Sequence, residues 1–177
     1  FKSLTSWETG YAYKQFIKTF VENTESLIMG EPEEKYTTIQ AGQATGELVG
    51  GNLSLFTKLV CGKYAVDVQD KILVLEELGF EAAPEMVNSN IYYLKQNGVF
   101  DRIAGLWIGN YEHPSKISLE KIITNAIGDE YKFPIIKSDN FGHIDKKIII
   151  PIGTKAEINT NEKIKIKLVE KCVDEGK

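Results

Sequence analysis

His143 is the residue of this sequence best suited to acid–base chemistry. It follows a glycine in the segment 141–145 and precedes the apolar run 148–153, and the chain has only one other histidine, His113. Imidazole exchanges protons near neutral pH, so a histidine exposed at the edge of a strand can serve as a general base. A structural role for His143 is the alternative, and His113, in a loop, is interpreted as a surface residue.

A general base of this kind needs a carboxylate to orient its ring, and Glu76 is the candidate. Glu76 and Glu77 end the continuous apolar run 72–75, which is typical of a strand buried on both faces. The carboxyl ends of strands are where open α/β sheets usually place their chemistry. Because side chains alternate along a strand, one glutamate is expected at the end of the sheet and the other towards solvent or a helix. An ordinary strand terminus is the alternative for both.

The sequence offers no convincing nucleophile to accompany this pair. A Gly-x-Ser-x-Gly motif is absent. Ser54 falls within the opening of a predicted helix, and Cys61 falls at the end of the same helix among apolar neighbours. A base and its orienting carboxylate without a nucleophile are part of a catalytic apparatus that is completed elsewhere.

Gly50, Gly51 and Asn52 are the candidate substrate-binding residues. They directly precede a set of apolar residues with helical spacing between Leu53 and Val60. Glycines at such a junction allow the backbone to approach another group, and the first turn of the helix has unpaired N–H donors. A plain tight turn is the alternative.

Composition and charge exclude several classes of function. The chain has 177 residues, 25 acidic against 21 basic, a net charge of −4 and a single arginine, Arg102, which argues against a nucleic-acid partner. Cys61 and Cys172 are far apart and no histidine has metal-ligand spacing, so neither a metal nor a cofactor is predicted. Without an apolar run of about 18 residues or a signal pattern, we expect a cytoplasmic protein with no membrane partner.

Hydrophobic periodicity predicts the elements that must position these residues. The predicted elements are a helix within 1–30, a hairpin over 36–50, a helix from 53, a strand over 72–75, a helix from 84 that ends at 97–98, a strand over 103–109, a helix over 118–127, and strands over 133–136, 147–150, 155–158 and 163–168. The pattern indicates an α/β fold: a mixed central sheet with flanking helices, a second layer of strands and a strand-rich C-terminal end. Alternating lysines in 163–168 favour a solvated edge strand. We expect one domain over 36–177, with 1–35 as a helical arm or interdomain segment.

Four blocks of the sequence occur in the order of a known family. They are 48–54, 71–77, 99–106, and Phe-Gly-His at 141–143 with Ile-Pro-Ile-Gly at 150–153. Together they resemble the C-terminal domain of the serine-type LD-carboxypeptidases, peptidase family S66, over residues 36–168. This family includes murein-recycling tetrapeptide carboxypeptidases and microcin C self-immunity peptidases, and the spacing from Asp145 to Pro151 is more similar to the self-immunity branch.

The resemblance implies a swivelling β/β/α domain and a Ser-Glu-His triad in which Glu76 and His143 are the glutamate and the histidine. The serine would lie in a separate N-terminal domain that these 177 residues lack, so the chain is expected to be inactive alone. The implied partners are that domain and a peptide or peptidyl-nucleotide substrate, and a homodimer is expected. Glu77 followed by Leu78-Gly79 departs from the family pattern. The alternative function is a non-catalytic binding or assembly module that keeps the fold.

Overall fold

Four parallel strands form the centre of a seven-stranded sheet. The computed structural model describes residues 10–78 and 83–173. Its strands are β1 (Tyr36–Gln40), β2 (Gln43–Asn52), β3 (Ile72–Glu77), β4 (Gly105–Tyr111), β5 (Ile135–Ser138), β6 (Lys155–Asn159) and β7 (Ile166–Leu168). Its helices are α1 (Tyr11–Phe16), which continues into a π-helical turn at Ile17–Val21, α2 (Leu53–Val60), α3 (Pro84–Gln96) and α4 (Leu119–Ile127).

The strand order is β1-β5-β4-β3-β2-β6-β7. Strands β2, β3, β4 and β5 are parallel to one another, whereas β1 pairs antiparallel with β5, β6 with β2, and β7 with β6. Helices α2, α3 and α4 connect the parallel strands in turn, so the carboxyl ends of these strands meet at one edge of the sheet. None of the helices in the described ranges is long and apolar enough to cross a membrane.

Two hydrophobic cores lie on opposite faces of the sheet, as the alternation of side chains along β3 shows. Leu73 and Leu75 belong to the core beneath the three helices, whereas Ile72 and Val74 belong to the other core. The second core also contains side chains of β6 and β7. Ile158 of β6 lies 3.0 Å from the place where a Cβ on Gly105 of β4 would be, although β3 and β2 separate these strands in the sheet. The sheet therefore curls over itself.

The predicted mixed sheet with flanking helices is confirmed, as is the position of β7 at the edge of the sheet. The strand-rich second layer is the curled β6–β7 end of the same sheet. Strand β7 is shorter than the predicted 163–168. Of the helix predicted within 1–30, the described part is helical over 11–21, and residues 1–9 lie outside the described residues.

Two predicted elements are wrong. The hairpin over 36–50 does not form, because β1 pairs with β5 and β2 lies between β3 and β6, so the two segments are on different sides of the sheet. The apolar run 147–150 is not a strand. Instead, the Ile148 amide donates to the Asn140 carbonyl at 2.8 Å and the Ile148 side chain packs in the second core. The run is apolar because it covers the sheet.

Phe141 packs over β4 and fixes the segment that carries His143. Its ring makes an edge contact with Trp107, with ring centroids 4.7 Å apart. A Cβ on Gly109 would lie 2.4 Å from the Phe141 ring, so only glycine at this position lets the ring reach its place. Gly109 and Phe141 are therefore complementary in shape.

The substitution Gly109→Ala should destabilise the protein by about 1–3 kcal/mol, because the added methyl group overlaps the Phe141 ring. Urea unfolding followed by circular dichroism measures the loss. The control is Gly109→Ala combined with Phe141→Leu. Because the smaller side chain relieves the overlap, the double variant should lose less than the sum of the two single losses; additive losses would contradict the packing argument.

A buried hydrogen-bond network ties β1 to the end of β5. Trp107 Nε1 donates to Ser138 Oγ at 2.8 Å, and Ser138 Oγ donates to Asn140 Oδ1 at 2.7 Å. Asn140 Nδ2 donates to the Tyr36 hydroxyl at 2.8 Å, and that hydroxyl donates to the Met29 carbonyl. Burial raises the pKa of Tyr36 well above its ordinary value of 10.0.

Tyr36 should make the protein lose stability in alkaline solution. Its raised pKa keeps the phenol protonated in the folded state, while the unfolded chain ionises near pH 10, so the contribution of Tyr36 is complete below pH 10 and is lost as the pH rises further. The loss has a limiting slope of about 1.4 kcal/mol per pH unit. Urea unfolding of wild type and Tyr36→Phe between pH 8 and 11.5 tests this, and the difference between the two should stay constant up to about pH 9 and then shrink. Parallel profiles throughout would show that Tyr36 ionises normally.

Candidate active site

The candidate residues are collected at the edge of the sheet where the parallel strands end. Strand β2 ends at Asn52, β3 at Glu77 and β5 at Ser138, and the segment 139–147 follows β5 across this edge. A cavity of about 420 Å³ opens beside this segment. It is lined by Glu34, Lys35, Asn110, Glu112, Asp139, Asn140, Ile144 and Lys146.

Glu76 and His143 are in direct contact, with His143 Nδ1 2.8 Å from Glu76 Oε2. The Glu76 side chain is 8% exposed and the His143 side chain is 53% exposed. A carboxylate only accepts hydrogen bonds, so Nδ1 of the neutral ring carries the hydrogen and donates it to Glu76. Nε2 then has a free lone pair and is able to take a proton from a group that approaches from outside.

Each residue of the Phe141-Gly142-His143 segment has a separate part in bringing the imidazole to Glu76. Phe141 anchors the backbone, and its carbonyl accepts a hydrogen bond from the Asn110 amide of β4 at 3.0 Å. Gly142 has a φ of +117°, which disfavours residues with a side chain, and a Cβ there would lie 3.1 Å from Glu76 Oε2. His143 lies in an irregular segment. The position at the edge of a strand, which the sequence suggested, is therefore wrong.

Gly50, Gly51 and Asn52 are the last three residues of β2 and lead directly into α2. A Cβ on Gly50 would lie 2.2 Å from the Val74 carbonyl oxygen of the neighbouring strand, so the close approach of β2 and β3 requires glycine here. Gly51 has a φ of +136° and open space in the Cβ direction, with no atom within 4 Å. Asn52 caps α2, since its Oδ1 accepts from the Leu55 amide at 3.1 Å.

Glu77 is the main polar residue of the site to which sequence reasoning assigned no role. It is 1% exposed and lies on the helix face of β3, towards the first turn of α2. Its carboxylate accepts from Asn52 Nδ2 at 2.6 Å, from the Ser54 amide at 2.9 Å, from the Ser54 hydroxyl and from the Leu78 amide at 2.9 Å. Side chains alternate along β3 as expected, and Glu77 is the glutamate that faces a helix rather than solvent. Gly79, two residues after Glu77, lies outside the described residues.

The remaining candidates are occupied elsewhere. Ser54 Oγ donates to Glu77 and accepts from Asn90 Nδ2 at 3.1 Å, so it belongs to the beginning of α2. Cys61 is exposed directly after the end of α2, and its Sγ accepts from Asn97 Nδ2 at 3.3 Å. His113 Nδ1 lies 2.9 Å from Ser115 Oγ within its own loop.

Sequence comparison identifies the family of this chain. A family model described as the LD-carboxypeptidase C-terminal domain matches residues 45–158. The chain is also 33% identical over 175 residues to a probable murein peptide carboxypeptidase of Bacillus subtilis (strain 168). That match covers 95% of this chain and 51% of the relative, so the chain spans about half the length of this relative.

Solved structures share the fold. The microcin C7 self-immunity protein MccF in an inactive mutant apo state superposes with a TM-score of 0.76 at 19% identity, covering 92% of this chain and 55% of that one. A muramoyltetrapeptide carboxypeptidase from Oxalobacter formigenes gives a TM-score of 0.68 at 18% identity, covering 90% and 54%. With the family model matching most of the sheet and all three helices that connect the parallel strands, the chain belongs to the LD-carboxypeptidase C-terminal domain family.

Proposed function

We propose that this chain is the part of a serine peptidase that supplies the glutamate and the histidine of a Ser-Glu-His triad for the hydrolysis of an amide bond. The observation that carries the proposal is the 2.8 Å contact between His143 Nδ1 and Glu76 Oε2 at the carboxyl edge of the parallel strands. Its geometry is that of a general base held by an orienting carboxylate.

In this mechanism His143 Nε2 removes the proton of a serine hydroxyl as the serine oxygen attacks the carbonyl carbon of the amide. The proton then passes from Nε2 to the leaving amine, the C–N bond breaks and an acyl-enzyme remains. A water molecule then attacks the acyl carbon while Nε2 takes its proton. Nε2 passes this proton to the serine oxygen as the bond between that oxygen and the acyl group breaks. Glu76 keeps the ring in one tautomer and stabilises the imidazolium that forms in each step.

The serine is proposed to come from an N-terminal domain, because the chain corresponds to the C-terminal domain of its family and to about half of its Bacillus subtilis relative. The exposure of the His143 side chain leaves its ring accessible to such a domain. Oxyanion donors would also come from there, and they often contribute the largest part of the stabilisation of the transition state. The chain alone is therefore proposed to be inactive.

The substrate is proposed to be a murein peptide or a peptidyl nucleotide. The names of the relatives support these two classes, since they include a murein peptide carboxypeptidase and a microcin C7 self-immunity protein. Gly50, Gly51 and Asn52 are the proposed substrate contacts, because they lie beside the Glu76–His143 pair and Gly51 leaves open space. The branch within the family is part of the proposal: the resemblance around Asp145–Pro151 favours the self-immunity type.

We also propose a domain that begins with β1 at Tyr36, with 10–35 packed against it as an arm, and a homodimer in a cytoplasmic setting. The Tyr11 hydroxyl donates to Glu34, and Gln15 Nε2 donates to Glu31 at 2.8 Å, so hydrogen bonds close the arm on itself. Exposed apolar side chains on and near α2 and α3 offer surface for association. They include Leu55, Tyr64, Met86, Tyr92 and Tyr93.

A binding or assembly module is the second candidate function. It is favoured by one observation: within residues 10–78 and 83–173, no hydroxyl or thiol is bonded to His143. A module would retain the fold and the cavity at the strand ends without performing hydrolysis.

Joining the chain to the half of the Bacillus subtilis relative that it does not match, where the serine is proposed to lie, tests the two functions. The chain alone should not release the C-terminal residue of a murein tetrapeptide or the amino acid of an aminoacyl-nucleotide analogue, whereas the joined protein should hydrolyse at least one of them. In the joined protein, His143→Ala and Glu76→Gln should each lower kcat about 10³-fold or more, because both remove the oriented base. His113→Ala is the matched control and should retain kcat within about threefold, since the hydrogen bonds of His113 to described residues lie within its own loop.

Tight binding of these compounds by the joined protein without hydrolysis would favour the module. Equal losses for the His113 and His143 variants would instead show that the loss reflects folding rather than chemistry. Circular dichroism of each variant accompanies the kinetics, so that an unfolded variant is recognised.

A further inference from the structure

We propose that Glu77 is a positioning residue that fixes the side-chain amide of Asn52 in one orientation, so that the site offers the substrate a hydrogen-bond donor. The inference rests on the proposed function, because it takes Asn52 to contact the substrate. Glu77 itself would touch neither the substrate nor the reacting atoms.

The contacts of Asn52 allow only one orientation of its amide. Oδ1 accepts from the Leu55 amide at 3.1 Å, and Nδ2 donates to Glu77 Oε1 at 2.6 Å. A backbone N–H only donates and a carboxylate only accepts, so the flipped amide would face a donor with its NH₂ group and a carboxylate with its oxygen. Without Glu77, the Leu55 amide alone would hold Asn52.

Glu77 is itself held rigidly. Both carboxylate oxygens are occupied, Oε1 by Asn52 and the Leu78 amide, and Oε2 by the amide and hydroxyl of Ser54. The carboxylate lies at the beginning of α2, where the helix dipole favours a negative charge. Asn90 of α3 holds the Ser54 hydroxyl in turn, which connects Glu77 to a second helix.

The hydrogen that remains on Asn52 defines the kind of ligand group it recognises. One Nδ2 hydrogen is used by Glu77, and within the described residues the other has no partner. Asn52 is the register partner of Glu76, and the backbones of their two strands lie about 4.8 Å apart, so Asn52 is at the same edge of the sheet as the Glu76–His143 pair. Open space over Gly51 adjoins it. The group that fits is an acceptor oxygen, a carbonyl or carboxylate oxygen of the peptide part of the substrate.

Hydrogen exchange of the Asn52 side chain tests the orientation directly, on the ¹⁵N-labelled 177-residue chain and without any activity. One Nδ2 hydrogen of Asn52 should exchange about tenfold more slowly than those of the exposed Asn161, while the other exchanges freely. In Glu77→Gln, which has one acceptor oxygen where Glu77 has two, the difference between the two Asn52 hydrogens should become smaller. Two wild-type hydrogens that both exchange like those of Asn161 would overturn the proposal, and this measurement does not depend on whether the variant folds.

A double-mutant cycle tests the consequence for substrate binding in the joined protein. Glu77→Gln should raise KM about 3–10-fold, the effect expected for one neutral hydrogen bond, and should leave kcat and its pH profile unchanged. In an Asn52→Ala background the same substitution should have no further effect on KM. Thr57→Ala removes a buried hydroxyl whose one hydrogen bond within residues 10–78 and 83–173 goes to the Leu53 carbonyl of the same helix, at 2.9 Å. This variant should lower the midpoint of urea unfolding without changing KM.

The outcomes separate failure of this inference from failure of the proposed function. Equal effects of Glu77→Gln with and without Asn52→Ala, or a raised KM in Thr57→Ala, would show that Glu77 acts only through stability and overturn the proposal. A joined protein without any hydrolysis would overturn the proposed function and the assignment of the donor to a substrate. Hydrogen exchange would then still decide whether Glu77 fixes the amide.

Discussion

The site depends on the alternation of side chains at the end of β3. Glu76 and Glu77 are adjacent carboxylates, and the two-residue period of the strand sends them to opposite faces of the sheet. One face is covered by segment 139–147 and gives Glu76 a histidine. The other face carries α2 and gives Glu77 the first turn of a helix. Two carboxylates next to each other in sequence therefore avoid mutual repulsion and take different partners.

This arrangement requires backbone segments to approach β3 closely from both sides, and glycines make that possible. Gly50 allows β2 to lie against the Val74 carbonyl, which sets the place where α2 begins. Gly142 allows the histidine segment to pass over Glu76, and Gly109 makes room for the Phe141 ring that anchors it. Gly50 thus supports the contacts of Glu77 with the start of α2, and Gly109 and Gly142 support the contact of Glu76 with His143. The packing of the strands and the geometry of the site therefore depend on the same glycines.

Sequence reasoning recovered the parts of the molecule that depend on local patterns. Helix α4, with its Ser118 cap and Gly128 end, and the buried strand β3 follow from periodicity and capping. Strand partners do not: β1 looks like half of a hairpin with β2 because they are neighbours in sequence, yet it pairs with β5. The run around Ile148 has the composition of a strand but finds its hydrogen bonds in a loop.

The same limit applies to the site. His143 and Glu76 were identified from residue type and position, together with resemblance to a family, and the structure brings them within hydrogen-bonding distance. The network around Glu77 was missed, because no pattern in the sequence connects it to Asn52 and Ser54, more than twenty residues earlier. The available signal was indirect: if one glutamate at a strand end faces a helix, the polar residues that open the neighbouring helix are its natural donors.

The unequal exposure of the two proposed catalytic side chains has a consequence for how such a peptidase would assemble. Glu76 is shielded by its own domain, so its contact with His143 forms without a partner, whereas the outer side of the imidazole stays in water. An oriented base in water can exchange protons with the solvent, but without a bound nucleophile it has no hydroxyl to deprotonate for attack on a substrate. Its proposed partner must therefore bring the serine to Nε2 and replace the bulk water there, leaving room for the one water molecule that later hydrolyses the acyl-enzyme; closure of the two proposed domains would then convert an oriented histidine into a catalyst.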